Sequence, residues 1–357
     1  MSNSSYQKGR GAQLNVHNRF LKDIHEQRDD FLEFCRISGE EPTKNTTERI
    51  PIFPKSIVNR VTSPDVGMHY SLNPYQGCEH GCIYCYARNA HEFWGYSAGK
   101  DFEQKILFKK DAPLLLEKLL QKKSWKAETI VLSGNTDCYQ PIERDLKLTR
   151  ACLQVFLKYR HPVGIITKNA LILRDLDVLR ELNALGLVGI NISITSLEES
   201  TRRLLEPRTA SVQKRLKAIE TLSKAGIPVN AMLAPIIPGI NSHELLTLAK
   251  AVSDRGARSF GFTVVRLNGA IGEIFTDWLY KAMPDKAAKV LSLIAQCHDG
   301  KLNDSRFGSR MKGDGAVAEQ IHQMVQLAKA KYFKGKRFPK LRTDLHEAYK
   351  DGQLKLF

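Results

Sequence analysis

The sequence predicts an α/β protein built on an open partial barrel of six strand–helix units, preceded by an N-terminal extension and followed by a helical, basic C-terminal segment. Three observations predict it. Short apolar runs rich in β-branched residues alternate with amphipathic stretches between about residues 66 and 280. Glycines stand where the helices should end, and the units number six, short of the eight that close a (β/α)8 barrel.

Strands are expected at residues 70–75, 129–133, 163–167, 188–195, 229–235 and 259–265. Helical periodicity covers 112–121, 146–159, 173–185, 212–225 and 242–255, with Gly186, Gly226 and Gly256 placed as C-caps and Ser242 as an N-cap. Strand, helix, strand in this order implies parallel pairing through right-handed crossovers, and chemistry then belongs at the C-terminal ends of the strands.

Ahead of the barrel, residues 1–65 form an N-terminal extension, of which 1–50, polar and charge-rich, read as partly mobile. They carry one apolar patch, Phe31-Leu32 and Phe34-Cys35, suited to a short helix, and Pro51, Pro54 and Pro64 exclude regular helix nearby. The barrel core is assigned to 66–280. In the remaining segment, 281–357, helices are expected at 286–295 and 317–331. Residues 301–357 hold 13 Lys and Arg against 6 Asp and Glu, clustered around Lys334, Lys336, Arg337, Lys340 and Arg342.

Bulk properties narrow the function classes. A hydrophobic content of 42% with 26% charged residues, and no apolar run of 18 or more, excludes a helical membrane protein. The first 20 residues contain no apolar signal region, so the cytoplasm is the expected location. Seven cysteines, an odd number at low density, argue against a disulfide scaffold. The net charge of +16 suits a polyanion such as nucleic acid, although basic enzymes without such a partner share that feature.

The most informative segment is Asn73-Pro74-Tyr75-Gln76-Gly77-Cys78-Glu79-His80-Gly81-Cys82-Ile83-Tyr84-Cys85-Tyr86. Cys78, Cys82 and Cys85 follow a strand at C-x3-C-x2-C spacing. One short loop can thus give a thiolate to each of three irons of a 4Fe-4S cluster, with Gly77 and Gly81 allowing tight turns. Three ligands leave the fourth iron open. The competing donor set is tetrahedral zinc completed by His80 or His69, but zinc ribbons pair two C-x2-C knuckles and no second knuckle follows.

The C-x3-C-x-aromatic-C pattern, with Tyr84 as the aromatic, resembles the radical S-adenosylmethionine (SAM) superfamily over roughly residues 66–280. The runs Ser133-Gly134-Asn135-Thr136-Asp137, Ile166-Thr167-Lys168-Asn169, Asn191-Ile192-Ser193-Ile194-Thr195, Glu206-Pro207-Arg208-Thr209 and Pro235-Ile236-Ile237-Pro238-Gly239 are similar to the branch of spore photoproduct lyase and DNA-repair-photolyase-like proteins. The resemblance implies that SAM chelates the open iron, and that reduction by a donor such as flavodoxin or ferredoxin releases a 5'-deoxyadenosyl radical.

It also implies where SAM is held. Ser133, Gly134 and Asn135 occupy the position of the strand-end motif that receives the amine. Asn135 stands where many members have an acid, which leaves that contact to the backbone. Lys168 is placed to pair with the SAM carboxylate, or else is a surface lysine. Ser193 and Thr195 share a face and suit the ribose or carboxylate, or bond the backbone. Arg208 can clamp the carboxylate or bridge Glu206. Cys138 lies past the second strand, where the photoproduct lyase keeps a hydrogen-donating cysteine, a few residues later than that pattern; the alternative is a small core residue. Trp94 and Tyr96 can stack on a base or adenine, or pack in the core.

Two classes of function remain: a radical SAM enzyme repairing or modifying nucleic acid, and one acting on a small molecule or protein. A non-catalytic, metal-bearing nucleic-acid-binding module is the third.

Overall fold

The computed structural model describes residues 6–22 and 46–350; the patch at Phe31 to Cys35 lies outside them. Ten strands form two sheets. The larger contains β2 (Val58–Arg60), β3 (Tyr70–Leu72), β6 (Ile130–Leu132), β7 (Val163–Thr167), β8 (Val188–Ser193), β9 (Val229–Ile236) and β10 (Ser259–Val264), in the order β10-β9-β8-β7-β6-β3-β2. The six strands from β3 onward pair in parallel, as the alternating pattern requires, and β2 adds antiparallel to the β3 edge. The fold is therefore an α/β partial barrel, open between its two edges.

The sequence reading did not anticipate the second sheet. It joins β1 (Glu48–Ile52) and β4 (Tyr75–Gln76) to the two sides of β5 (Lys105–Lys109). These strands are short and lie among prolines and charged residues, so period-two alternation has little length in which to register.

The helices are α1 (Ala112–Leu120), α2 (Leu148–Lys158), α3 (Leu176–Ala184), α4 (Glu199–Leu205), α5 (Val212–Lys224), α6 (Leu245–Asp254), α7 (Ile271–Ala282), α8 (Pro284–Gln296), α9 (Gly315–Tyr332) and α10 (Asp344–Lys350). Gly186, Gly226 and Gly256 take left-handed φ at the ends of α3, α5 and α6, where C-caps were expected.

Strand alternation divides each strand between two environments. Val163 and Ile165 of β7 and Val188, Ile190 and Ile192 of β8 join the main core under the helices. The intervening positions face the lumen, where Asn230 donates to Asn191 at 2.7 Å and Ser259 donates to Asn230. The basic tail closes the floor: Arg342 N–H donates to Gly186 at 3.0 Å, and Phe338 lies so close to β8 that a Cβ on Gly189 would meet its ring at 2.8 Å.

A second core sits over the strand ends. It unites Ala12 and Val16 of the N-terminal segment, Cys82 to Tyr84, Leu205, and Ile271 to Leu279 of α7. Residues 10–13 are thus packed structure and not the mobile extension expected for the described part of that region. Among the described residues no helix is long and apolar enough to cross a membrane.

Candidate active site

The cysteine loop leaves β4 and is fixed by its backbone. Cys78 N–H donates to Phe102 at 2.8 Å, Ile83 N–H to Leu205 at 3.0 Å, and Gly81 and Cys85 N–H fold back on Cys78 and Cys82 at 3.3 Å each. Gly77 and Gly81 adopt positive φ, +76° and +66°. Cys78 and Cys82 are buried and Cys85 half-buried. Burial raises the Cys82 thiol well above its usual range, with Glu206 and the neighbouring thiols adding to the effect, and burial also raises Cys85. Without metal these groups stay protonated; a bound cation offsets the desolvation of the thiolates.

Three thiols on one loop suit a cubane whose irons each take one thiolate, and the two histidines named for a zinc site are both engaged. His80 is occupied at both ring nitrogens, by Asp137 and Asn169 at 3.3 Å each, and exposed His69 pairs with Glu128 at 2.7 Å just before β3, at the strand end remote from the loop. Among the described residues no three His, Cys, Asp or Glu side chains stand at the spacing of a single-ion site. A cubane, whose thiolates bind different irons, asks for wider separation.

Around the loop lie Asp137 and Glu206, members of the family-like runs whose own roles the sequence did not indicate. Asp137 accepts from Thr167 Oγ1 at 2.8 Å, Lys168 N–H at 2.7 Å and Tyr139 N–H at 2.8 Å, while facing His80, so one side chain ties the β6 and β7 ends to the loop. Burial would raise its pKa, yet His80 and these donors hold it below the usual range. Burial would likewise lower His80, but Asp137 and Cys78 carry it up to about 10. Glu206, fully buried, accepts from the Tyr84 hydroxyl, from Arg215 and from Thr195 at 3.0 Å. Arg215 and Lys168 overcome its desolvation and hold it near pKa 2.

The predicted SAM residues divide accordingly. Ser133 has φ of +72°, unusual for a non-glycine, and its hydroxyl accepts from Cys138 N–H at 2.7 Å. Gly134 packs on Ser71, which a Cβ would meet at 2.5 Å, and its carbonyl accepts from the Tyr86 hydroxyl at 2.6 Å. Asn135 N–H donates to Asn73 at 2.8 Å, leaving its side chain on Gln76 at 3.4 Å. Lys168 is no surface lysine: it lies 5.9 Å from the Tyr84 ring centre, and Glu206 and Cys82 raise its pKa against burial.

Thr195 is committed to Glu206, whereas Ser193 offers its carbonyl to Arg215 at 2.9 Å. The expected alternative bridge from Arg208 to Glu206 is corrected: Arg215 takes that place, and Arg208 contacts Glu79 at 3.3 Å with 34% of its side chain exposed. Cys138 is fully buried in the main core with Tyr139, Cys152 and Leu132, and burial raises its thiol well above the ordinary range. Cys152 and Cys297 are buried. Tyr96 packs against His91 and Lys105, while Trp94 is 40% exposed.

Nothing in the spacing of a single sequence announces Glu103, Glu206 or Arg215, because their partners lie on other elements. Arg88 and Glu103 form a fully buried ion pair at 2.5 Å, and Glu103 also accepts Gly11 and Ala12 N–H at 3.1 and 2.8 Å.

A half-open parallel barrel with three thiols on the loop after its first parallel strand defines an enzyme that works at its strand ends. The sequence model of the Radical SAM superfamily matches residues 72–252. An uncharacterized protein of Mycobacterium tuberculosis is 30% identical over 245 residues, 67% of this chain and 71% of that one. Another, of Methanocaldococcus jannaschii, is 33% identical over 193 residues, 54% of this chain and 69% of its own. Spore photoproduct lyase complexed with dinucleoside spore photoproduct superposes with a TM-score of 0.58 at 15% identity, covering 80% of both chains. A mutant of that lyase with bound AdoMet and dinucleoside spore photoproduct gives 0.60 at 14% identity, covering 86% of this chain and 92% of that one. At such identity the likeness shows the fold. The chain belongs to the radical SAM superfamily and is a radical SAM enzyme.

Proposed function

We propose that Cys78, Cys82 and Cys85 hold a 4Fe-4S cluster, that SAM binds beside it at the ends of β6, β7 and β8, and that the substrate is nucleic acid. The observation that carries the reading is the three-thiol loop at the end of β4, its backbone fixed on Phe102 and Leu205. Cluster and SAM together, when bound, supply a 5'-deoxyadenosyl radical on one-electron reduction.

The chain's own residues hold and shield. The turn at Ser133 and Gly134 brings backbone to the strand end for the cofactor amine, and Tyr86 on the Gly134 carbonyl fixes its direction. Lys168 and Arg215 place two cations around the single carboxylate of Glu206, so an incoming anion meets surplus positive charge in a dry setting. Arg208, one-third exposed, is a further cation within reach of a carboxylate. The second core over the strand ends excludes water. For nucleic acid the support is the +16 charge and the fold shared with a lyase solved in complex with dinucleoside spore photoproduct.

Anaerobic reconstitution tests this. Iron and sulfide should be incorporated and lost in a Cys82→Ser variant, and SAM with dithionite should yield 5'-deoxyadenosine. Tightly bound zinc in place of iron would overturn the cluster assignment. Absence of DNA or RNA binding at low salt would overturn the nucleic-acid substrate and leave a small molecule or protein in its place.

A further inference from the structure

Resting on that reading, we infer that the cleft between the two sheets receives one unstacked nucleotide of a nucleic-acid strand, with Trp94 stacking on its base. The cleft has a volume of about 440 Å³, within the range of small-molecule sites. It opens between the edge strands β2 and β3 and the smaller sheet, and Gln76 and Asn135 in its wall place it next to both the cysteine loop and the proposed SAM turn. Whatever occupies it lies beside the proposed reaction centre.

The walls specify the chemistry. Asn59, Asn73, Gln76 and Asn135 line it with side-chain amides; the Asn73 oxygen accepts from Asn135 N–H at 2.8 Å and Asn135 donates to Gln76 at 3.4 Å, which leaves Asn59 and the remaining donors and lone pairs for the edge of a base. Among the described residues no carboxylate lines the cleft, whereas Lys55 and Lys109 do. Lys109 is buried, 8% exposed, and donates to the Asn73 carbonyl at 2.8 Å, yet no carboxylate pairs with it among the described residues. A buried ammonium without a counter-charge is an anion site in waiting, and phosphate supplies that charge.

At the rim the surface is aromatic. Trp94 is 40% exposed, and next to it Phe93 and Phe20 are 70% and 53% exposed with ring centres 4.7 Å apart. The Arg19 guanidinium lies 4.8 Å from the Phe20 centre and 5.8 Å from that of Phe93. Exposed aromatic faces topped by arginine and leading into a polar, cationic cleft form a stacking path for a single strand. A free phosphate would need neither the tryptophan nor the amides.

The test needs neither cluster nor turnover. The full chain is titrated with a short fluorescein-labelled single-stranded oligodeoxynucleotide at several salt concentrations, with SAM as competitor, following anisotropy and tryptophan emission. Trp94→Ala should weaken binding about tenfold or more, Trp94→Phe should restore most of it, and Lys55→Ala should lower the salt slope by about one. Wild-type binding that Trp94→Ala leaves intact overturns the cleft assignment but not the nucleic-acid reading. No wild-type binding at low salt removes both. Quenching of Trp94 by SAM, with SAM displacing the oligonucleotide, assigns the cleft to the cofactor's adenosine and overturns the inference.

Discussion

Replacing Glu103 by glutamine tests whether the cysteine loop is held by the buried pair beneath it. Arg88 and Glu103 are both 0% exposed. The arginine reaches the Cys82 carbonyl through Nε at 3.1 Å and the Ala98 and Gly99 carbonyls through Nη1 at 3.2 and 2.9 Å. Glu103 Oε1 serves Arg88 and Ala12 N–H, and Oε2 serves Gly11 N–H. Glutamine has one acceptor end and one NH2 end, so in either orientation a donor faces a donor. The Arg88 charge is left buried and uncompensated as well.

Removing one partner of such a pair costs about 3–5 kcal/mol. For a chain of 357 residues the unfolding entropy makes each kcal/mol worth roughly 1.5 °C, so thermal unfolding should fall by about 5–8 °C. The loss is also directional. Residues 10–12 should detach, exposing Arg10 and Arg19 to trypsin, and the loop should lose reconstituted iron faster under a chelator. Scanning calorimetry, timed proteolysis and iron release measure the three effects. A Glu103→Gln protein with unchanged melting temperature and an uncleaved N-terminal segment would refute the bracing argument.

Other consequences follow from the same packing. Trp125 can only donate, and its indole N–H meets His161 Nε2 at 3.0 Å, so that imidazole is neutral; burial lowers its pKa to about 3. The unfolded state therefore binds more protons, full stability holds above pH 6.5, and a fall to pH 5 should cost about 2 kcal/mol. Urea unfolding across that window should show this loss together with a comparable one from His91, whose pKa burial lowers to about 4, and a His161→Phe variant should remove only its own share. In Gly189→Val the new side chain strikes the Phe338 ring. It should destabilise by about 1–3 kcal/mol and open Lys336 and Arg337 to trypsin. Cys138→Ala, which removes one buried sulfur, should cost about 1 kcal/mol and leave iron content and product unchanged. An altered product would instead assign Cys138 as the hydrogen donor.

The barrel was legible because its strands are bounded by caps and made of β-branched residues. The runs at 163–167 and 259–265 fall on β7 and β10 almost residue for residue. The smaller sheet was not legible, since β4 is two residues long and β1 is defined only by its pairing with β5. The thiols were visible from local spacing, a property of one loop. Only the alternative role of Arg208, a bridge to Glu206, is overturned: sequence proximity suggested it, while α5 delivers Arg215 to that carboxylate from nine residues away.

That contrast has a physical basis. A ligand set can lie within one loop, but rigidity cannot, because a loop of eight residues has too few internal hydrogen bonds to hold three thiols in register. The restraint comes from charges on other elements: Glu103 from the smaller sheet's approach, Glu206 from the end of α4, and Asp137 from beyond β6. Glu103 and Glu206 are fully buried and Asp137 mostly so, and in that low dielectric each tolerates little displacement. A site meant to contain a radical benefits twice, through fixed geometry and exclusion of water. The cleft beside it is lined, among the described residues, by amides and lysines and not by carboxylates, which suits the proposed substrate with its own negative charge.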